Sequence, residues 1–253
     1  MLRPRIIPCL LVKGGGLVKT VRFASPTYVG DPINAVRIFN EKEVDELIVL
    51  DIDATVLGAE PDYVMIERLA AECRMPFCYG GGIKTVEQAQ RIIRLGVEKV
   101  AVGSAAIENP ALVASMARHV GSQSVIAVLD VKAHPGGAYE VLTRNASLAT
   151  RRSPVECARA LEGLGIGEIV VNAIDRDGVM KGYDLALVDR IREAVTVPLT
   201  VLGGAGSLKD IAQLIATQGI VGAAAGSLFV FKGVYRAVLI NYPNRAEKAA
   251  LIA

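Results

Sequence analysis

The chain has 253 residues, of which 52% are hydrophobic and 21% charged, and its 28 basic and 26 acidic residues leave a formal net charge of +2. This composition suits one large core, and the dispersed charges argue against a nucleic-acid-binding surface. The four cysteines form no C-x-x-C pair, so we expect reduced thiols and no zinc site. Neither a signal peptide nor an apolar run of about 18 residues is present, which predicts a cytoplasmic protein without a membrane span.

Eight short apolar runs alternate with amphipathic stretches along the chain. They are rich in Val, Ile and Leu, as parallel strands covered on both faces are. In chain order the predicted strands span residues 6–12, 46–50, 76–79, 99–102, 124–130, 168–172, 198–202 and 222–225.

Polar residues mark the predicted helix starts between these strands. Asp31 and Ser153 each precede a proline at the first helical position. Thr85 with Gln88 resembles a capping box, in which two side chains satisfy each other's backbone N–H groups. Further starts are predicted at Asn109, Asp184 and Ser207.

The two longest connections follow the first and fifth predicted strands and span residues 13–30 and 132–152. Glycines at 14–16 and 136–137 give these segments conformational freedom. We therefore expect mobile loops that act as lids, with loops of no function as the alternative.

The second half of the chain repeats the first. Glu46 to Val49 returns as Glu168 to Val171, and the Gly81-Gly82 pair returns as Gly203-Gly204. A half that cannot bury its own strands must pair with its twin. We predict an α/β fold, a (β/α)8 TIM barrel over residues 1–253, built from two duplicated half-barrels of residues 1–122 and 123–253. A doubly wound open sheet is the alternative, but it does not explain the repeat.

Glycine-rich turns follow the third and seventh predicted strands, and Gly-Ser pairs end the fourth and eighth. Backbone N–H groups in such turns bind anions, so we predict two phosphate sites. A tight turn that needs positive φ is the alternative for each. Two sites at one mouth imply a long ligand with a phosphate at each end. The predicted phosphate-binding residues are Gly81, Gly82, Gly103, Ser104, Gly203, Gly204, Gly226 and Ser227.

Asp130 ends the fifth predicted strand, where a barrel strand faces the mouth, and is our candidate general acid or base. Asp53 and Asp175 are interpreted as caps of the loops that follow them. The other polar candidates for binding substrate near the mouth are Lys19, Asp51, Asn172 and Asp177. For Lys19, a solvated loop lysine is the alternative.

Four charged residues lie near the opposite, N-terminal ends of the strands: Arg5, Glu46, Lys99 and Glu168. Two acids and two bases at one level predict a ring of ion pairs, either as a structural plug or as a gate on an axial channel. No group with metal-ligand spacing and no nucleotide P-loop is present, so we expect no metal and no cofactor.

The order of these motifs resembles the cyclase subunit of imidazole glycerol phosphate synthase, the HisF family, over essentially the whole chain. The resemblance is carried by residues 5–10, 18–19, 30–32, 45–47, 50–52, 80–83, 121–123, 174–178 and 203–206. It implies that a separate glutaminase docks on the N-terminal face of the barrel. Ammonia then passes the four charged residues as a gate and reaches a ribulosyl nucleotide with two phosphates. Asp130 matches one of two catalytic aspartates in this family.

Leu11 stands where the family pattern has the other aspartate, and Gly103, Val179 and Leu202 replace polar residues usual at the mouth. Residues 7–13 and 78–85 resemble a branch encoded with surface-polysaccharide genes. Its members work with a glutaminase and a third amidotransferase protein. The resemblance to this branch favours, as the function, amidination of a nucleotide-linked acetamido sugar in the biosynthesis of O-antigen. The alternatives are cyclase (lyase) activity in histidine biosynthesis and a catalytically silent scaffold that activates the glutaminase.

Overall fold

The computed structural model describes residues 3–252. Its strands are β1 (Arg5–Lys13), β2 (Gly16–Val21), β3 (Ala24–Gly30), β4 (Leu47–Asp51), β5 (Phe77–Gly80), β6 (Lys99–Val102), β7 (Val125–Ala133), β8 (Tyr139–Thr143), β9 (Leu148–Arg152), β10 (Glu168–Ala173), β11 (Leu199–Leu202), β12 (Gly222–Ala225), β13 (Phe231–Lys232) and β14 (Ala237–Val238). Its helices are α1 (Pro32–Glu41), α2 (Tyr63–Glu72), α3 (Val86–Arg94), α4 (Ser104–Glu108), α5 (Pro110–Val120), α6 (Pro154–Gly163), α7 (Leu185–Arg192), α8 (Leu208–Gln218), α9 (Ser227–Val230) and α10 (Arg245–Ile252).

Eight of these strands form a closed parallel barrel. Around the ring the order is β1, β4, β5, β6, β7, β10, β11 and β12, and β12 pairs with β1 to complete it. The predicted (β/α)8 barrel is therefore confirmed, and the open-sheet alternative is excluded because the ring has no free edge. The division into half-barrels at residue 122 stays a prediction.

The predicted helix starts are confirmed, with different capping strengths. Asp31 and Asp184 each accept a hydrogen bond from a backbone N–H in the first turn of their helices. Thr85 and Ser207 each take part in a reciprocal capping box. Ser153 precedes its helix without a side-chain hydrogen bond.

The connections after β1 and β7 are antiparallel hairpins rather than irregular loops, and their mobility and role as lids stay a prediction. β2 pairs with β1 and with β3, and β8 pairs with β7 and with β9. Gly14 and Gly15 in one hairpin and Gly136 and Gly137 in the other have positive φ at the turns. The long strands β1 and β7 offer further hydrogen-bonding groups beyond the barrel rim, and the returning strands β2 and β8 bind to them.

The barrel has two apolar layers. The larger layer lies between the strands and the surrounding helices, and the smaller one fills the barrel interior. Side chains alternate between the two along each strand. Cys9 and Cys78 are buried in the inner layer, and all four cysteines are free thiols, as predicted. The inner layer consists of Ile7, Cys9, Ile48, Cys78, Ala101, Ile126, Val128, Val170, Leu202 and Ala224.

Among residues 3–252, no helix combines the length and the apolar character that crossing a membrane requires.

Candidate active site

The four charged residues at the N-terminal ends of the strands contact one another inside the barrel. Arg5 pairs with Glu46 and, at 2.7 Å between Nη2 and Oε1, with Glu168. Lys99 Nζ lies 2.7 Å from Glu46 Oε1 and 3.0 Å from Glu168 Oε2. Each acid thus contacts both bases, and we call this set the charged floor. Its role as a gate stays a prediction.

The residues of the charged floor stay ionised because each lies against groups of opposite charge. Burial by itself would lower the pKa of Arg5 and of Lys99, but Glu168 and Glu46 raise both above their ordinary values. Burial would raise the pKa of Glu168, and Arg5 and Lys99 bring it below its ordinary value. These three residues therefore stay charged near neutral pH, and removal of one would leave buried charge unpaired.

Thr200 is a fifth, uncharged contributor to the floor that the sequence interpretation missed. It is fully buried on β11, its hydroxyl donates to Glu168 Oε1 at 2.6 Å, and Arg5 Nη2 donates to it at 3.3 Å. Threonine is common inside apolar strands, so the residue type gave no sign of this role. Its position two residues before Leu202, on the same inward face of the strand, could have indicated it.

Apolar side chains follow directly above the floor. Residues two positions apart on a strand face the same way. Two residues beyond Arg5, Glu46, Lys99 and Glu168 the inward side chains are Ile7, Ile48, Ala101 and Val170, all in the inner apolar layer. We call this apolar part of the barrel interior the bore, and it disfavours an unpaired ion far more than a small neutral molecule.

An open cavity lies at the C-terminal ends of the barrel strands. All but one of the predicted mouth residues line it. The exception is Gly82, whose backbone N–H is directed at Thr55 Oγ1 at 3.4 Å. The predicted residues that line the cavity are Lys19, Asp51, Gly81, Gly103, Ser104, Asp130, Asn172, Asp177, Gly203, Gly204, Gly226 and Ser227.

Asp130 is half-buried and lines this cavity. Asn172, beside it in register on β10, donates from Nδ2 to Asp130 Oδ1 at 2.9 Å. Burial raises the pKa of Asp130 to about 7, the hydrogen bond from Asn172 lowers it, and Asp177 raises it. A carboxyl group that titrates near neutral pH suits general acid–base work.

The other two carboxylates that line the cavity are engaged by protein groups. Asp51 Oδ1 accepts from the backbone N–H groups of Asp53 and Ala54. Asp177 Oδ2 accepts from Thr20 Oγ1 at 2.7 Å and from the backbone of Phe23. Asp177 thereby ties the β2–β3 hairpin to the loop after β10.

Two expectations about aspartates were wrong. Asp53 does not cap its loop, because Asp51 does so, and Asp53 instead forms an ion pair with Lys13 at 3.2 Å. Asp175 accepts from the backbone of Ala133 on β7, at 2.7 Å, rather than from its own loop.

Lys19 is a buried lysine on β2, which excludes the alternative of a solvated loop residue. Its Nζ donates to the Cys9 carbonyl at 2.6 Å. Burial lowers the pKa of Lys19, while Cys9 and Asp177 raise it. A Cβ added to Gly226 would lie 2.7 Å from Lys19 Nζ, so the ammonium sits beside the predicted phosphate site at Gly226.

Leu11 lines the same cavity and lies in register with Leu50 of β4. Strand β1 therefore supplies no carboxylate to the mouth, and Asp130 is the lining carboxylate that no backbone N–H engages.

The glycine-rich turns have backbones that require glycine. Gly81, Gly203 and Gly204 all have positive φ, and a Cβ at Gly204 would overlap the carbonyl of Gly182. The turn geometry alone accounts for these glycines, so phosphate binding stays a prediction. Within residues 3–252, no group of three or more His, Cys, Asp or Glu residues is placed to hold a metal ion.

Comparison with known proteins places this site in a family. The family model described as "Histidine biosynthesis protein" matches residues 5–236. A protein of Vibrio vulnificus named "Putative imidazole glycerol phosphate synthase subunit hisF3" is 59% identical over 249 residues, which cover 98% of this chain and 96% of that protein. A protein of Leptospira interrogans named "Putative imidazole glycerol phosphate synthase subunit HisF" is 58% identical over 252 residues, 99% of each chain.

A more distant relative carries the same name without the qualifier. The "Imidazole glycerol phosphate synthase subunit HisF" of Exiguobacterium sibiricum is 41% identical over 229 residues, which cover 90% of this chain and 91% of that protein. With the barrel and its mouth, these matches show that the chain belongs to the HisF family of imidazole glycerol phosphate synthase subunits.

Proposed function

We propose that this chain is the ammonia-accepting subunit of a glutamine-dependent synthase. A glutaminase subunit docks on the N-terminal face of the barrel and releases ammonia beneath the charged floor. Ammonia crosses the floor and the apolar bore and reaches the cavity at the other end. The single observation that carries the proposal is the stacking of a paired, charged floor, an apolar interior and a cavity lined by the carboxyl group of Asp130 on one barrel axis.

The bore supports transfer of the neutral molecule rather than the ammonium ion. Above the floor, Ile7, Ile48 and Val170 offer no carboxylate to a cation. Moving an unpaired cation into such surroundings costs several kcal/mol, on the order of the buried-charge penalties known in proteins. The nitrogen therefore crosses as the neutral ammonia that the glutaminase releases, and the apolar interior keeps bulk water from protonating it.

Amidination of a nucleotide-linked acetamido sugar, for surface polysaccharide such as O-antigen, is the reaction that we favour. Leu11 supports this choice. The cyclisation divides acid and base work between two carboxylates, and with leucine at position 11 this cavity offers only Asp130 for that work. In this reaction the glycine-rich turns bind the diphosphate of the nucleotide, and a third amidotransferase protein completes the assembly. The free cysteines support a cytoplasmic location.

Formation of imidazole glycerol phosphate is a second candidate. The names of the relatives favour it, because they all refer to imidazole glycerol phosphate synthase. The glycine-rich turns on both sides of the mouth also suit a ligand with two phosphates.

One experiment separates the candidates. The purified chain, with its glutaminase and amide-¹⁵N glutamine or with ¹⁵N ammonium chloride alone, is offered either the ribulosyl aminoimidazole carboxamide nucleotide or a panel of nucleotide-linked acetamido sugars. Label in an amidino group of a sugar, with the third protein present, supports the favoured reaction. Clear turnover of the ribulosyl nucleotide supports the second. Stimulated glutaminase activity without a labelled product would overturn both and favour a scaffold.

A further inference from the structure

Asn172 carries a buried hydrogen-bond acceptor that the protein does not use. Its Nδ2 donates to Asp130 Oδ1 at 2.9 Å, whereas no donor among residues 3–252 reaches its Oδ1. The residue is 5% exposed and lines the mouth cavity. A buried amide oxygen without a partner destabilises the folded protein, so a ligand that supplies a donor would bind favourably here.

The position of Asn172 identifies the class of donor. Glu168, Val170 and Asn172 face the barrel interior from β10, and a rise of 3.3 Å per residue puts Asn172 about 13 Å along the strand from Glu168. On the neighbouring strand β7, Ile126 and Val128 precede Asp130 in the inner layer. A molecule that leaves the apolar bore along these two strands meets Asn172 and Asp130 as its first polar side chains.

We infer that Asn172 Oδ1 and Asp130 together form a binding site for ammonia at the upper end of the bore. The inference rests on the proposed function. Ammonia donates one N–H to the Asn172 amide oxygen and another to the Asp130 carboxylate. Both partners are acceptors, so the nitrogen lone pair stays free and faces the cavity.

The pairing of an amide with a carboxylate suits this role. A second carboxylate at residue 172 would lie beside Asp130 and favour its protonation, because like charges at short range disfavour ionisation. The neutral amide accepts from ammonia without that effect, and through Nδ2 it also orients Asp130.

Nuclear magnetic resonance of the whole chain, with ¹⁵N in asparagine side chains, tests the site. The Asn172 amide signal is identified by its loss in Asn172→Leu or, if that variant does not fold, in Asn172→Ser. Ammonia is added at alkaline pH, where it is neutral, and trimethylamine, which has no N–H group, is the matched probe. We expect a saturable shift of the Asn172 signal with ammonia and none with trimethylamine.

Two variants refine the test. Asp130→Leu removes one acceptor and is expected to weaken the apparent ammonia affinity about tenfold, the effect of one hydrogen bond. Asn145 lines the same cavity at positive φ, so Asn145→Gly keeps the local backbone and is expected to leave the Asn172 shift unchanged.

An absent shift, or an equal shift with trimethylamine, would overturn the binding site while leaving the proposed function in place. A specific ammonia shift in a chain that accepts no glutamine-derived nitrogen supports the binding site and counts against the proposed function.

Discussion

Gly222 lies directly beside Thr200 in the charged floor, and the missing side chain of Gly222 makes room for the threonine hydroxyl. A Cβ added to Gly222 would overlap Thr200 Oγ1 and approach its Cβ to 2.9 Å. The hydroxyl needs this space because it bonds Glu168 and accepts from Arg5. The glycine, which pairs with Arg5 across the strands, thus supports the floor through the side chain that it lacks.

The first prediction concerns this pair. Gly222→Ala is expected to lower the free energy of unfolding by about 2–3 kcal/mol through overpacking. In combination with Thr200→Ala the cost is expected to be smaller than the sum of the two single costs, by about 1 kcal/mol, because the overlap with the hydroxyl is gone. Urea unfolding measures all three variants.

Gly163→Ala is the matched control, because a Cβ at this helical glycine meets no atom within 4 Å. It is expected to be neutral or to stabilise by up to about 1 kcal/mol. Strict additivity between residues 200 and 222 would contradict the contact.

The second prediction compares a buried and an exposed ion pair. Glu168→Ala leaves Arg5 and Lys99 with one carboxylate between them, and we expect a loss of about 3 kcal/mol in unfolding free energy. Glu43→Ala breaks the pair with Arg245, whose side chains are 62% and 85% exposed, and should cost less than about 1 kcal/mol. Equal losses in urea unfolding would show that the charged floor is not a cooperative unit.

The third prediction is the pH dependence of stability through Asp130. Burial raises its pKa to about 7 in the folded chain, whereas an unfolded aspartate titrates near pH 4. The folded state therefore binds this proton more tightly than the unfolded state does. The stability that protonated Asp130 contributes is fully present below about pH 4 and is lost as the pH rises through about 7.

Asp130→Asn removes this dependence. Relative to the unsubstituted chain, the variant is expected to gain on the order of 3 kcal/mol in unfolding free energy between pH 4 and pH 8. Urea unfolding at the two pH values gives this difference. A pH-independent difference would mean that Asp130 titrates like a free aspartate.

The fourth prediction concerns the β2–β3 hairpin. Asp177→Ala removes the acceptor of Thr20 Oγ1 and of the Phe23 N–H, and these bonds hold the hairpin over the mouth. Amide hydrogen exchange in residues 16–30 is expected to become roughly ten- to a hundredfold faster, since opening becomes easier by about 1–3 kcal/mol.

The β8–β9 hairpin is the internal control in the same exchange experiment. The pairings that hold residues 139–152 do not involve Asp177. Acceleration of both hairpins would indicate global destabilisation instead of a released tether.

The fifth prediction restores a carboxylate to β1. Leu11→Asp places an acid in the cavity that Asp130 lines, and we expect turnover of the ribulosyl nucleotide with ammonium to rise by about 10²-fold or more, the usual worth of a positioned acid or base. Leu50→Asp puts the same group one strand away, in register with residue 11, and is expected to give no gain. Equal gains in the two variants would show that position does not matter.

Local patterns were enough to predict much of this barrel. Apolar runs such as residues 99–102 and 222–225 coincide with the observed strands, and the cap at Thr85 forms as its spacing indicates. Burial on both faces and helix capping depend on neighbouring residues, so they leave a mark in the sequence. The inward charges at strand starts and Asp130 at a strand end were visible for the same reason.

Contacts between distant segments were not predictable from such patterns. The hairpins after β1 and β7 exist because long strands extend beyond the barrel rim, and Lys19 is buried because β2 folds back onto β1. Thr200 joins the floor because closure of the ring sets it beside Glu168, and Asn172 keeps a free acceptor because β7 brings it Asp130 and no donor. Which groups become partners depends on strand pairing across tens to hundreds of residues, and a local sequence pattern holds no record of those distances.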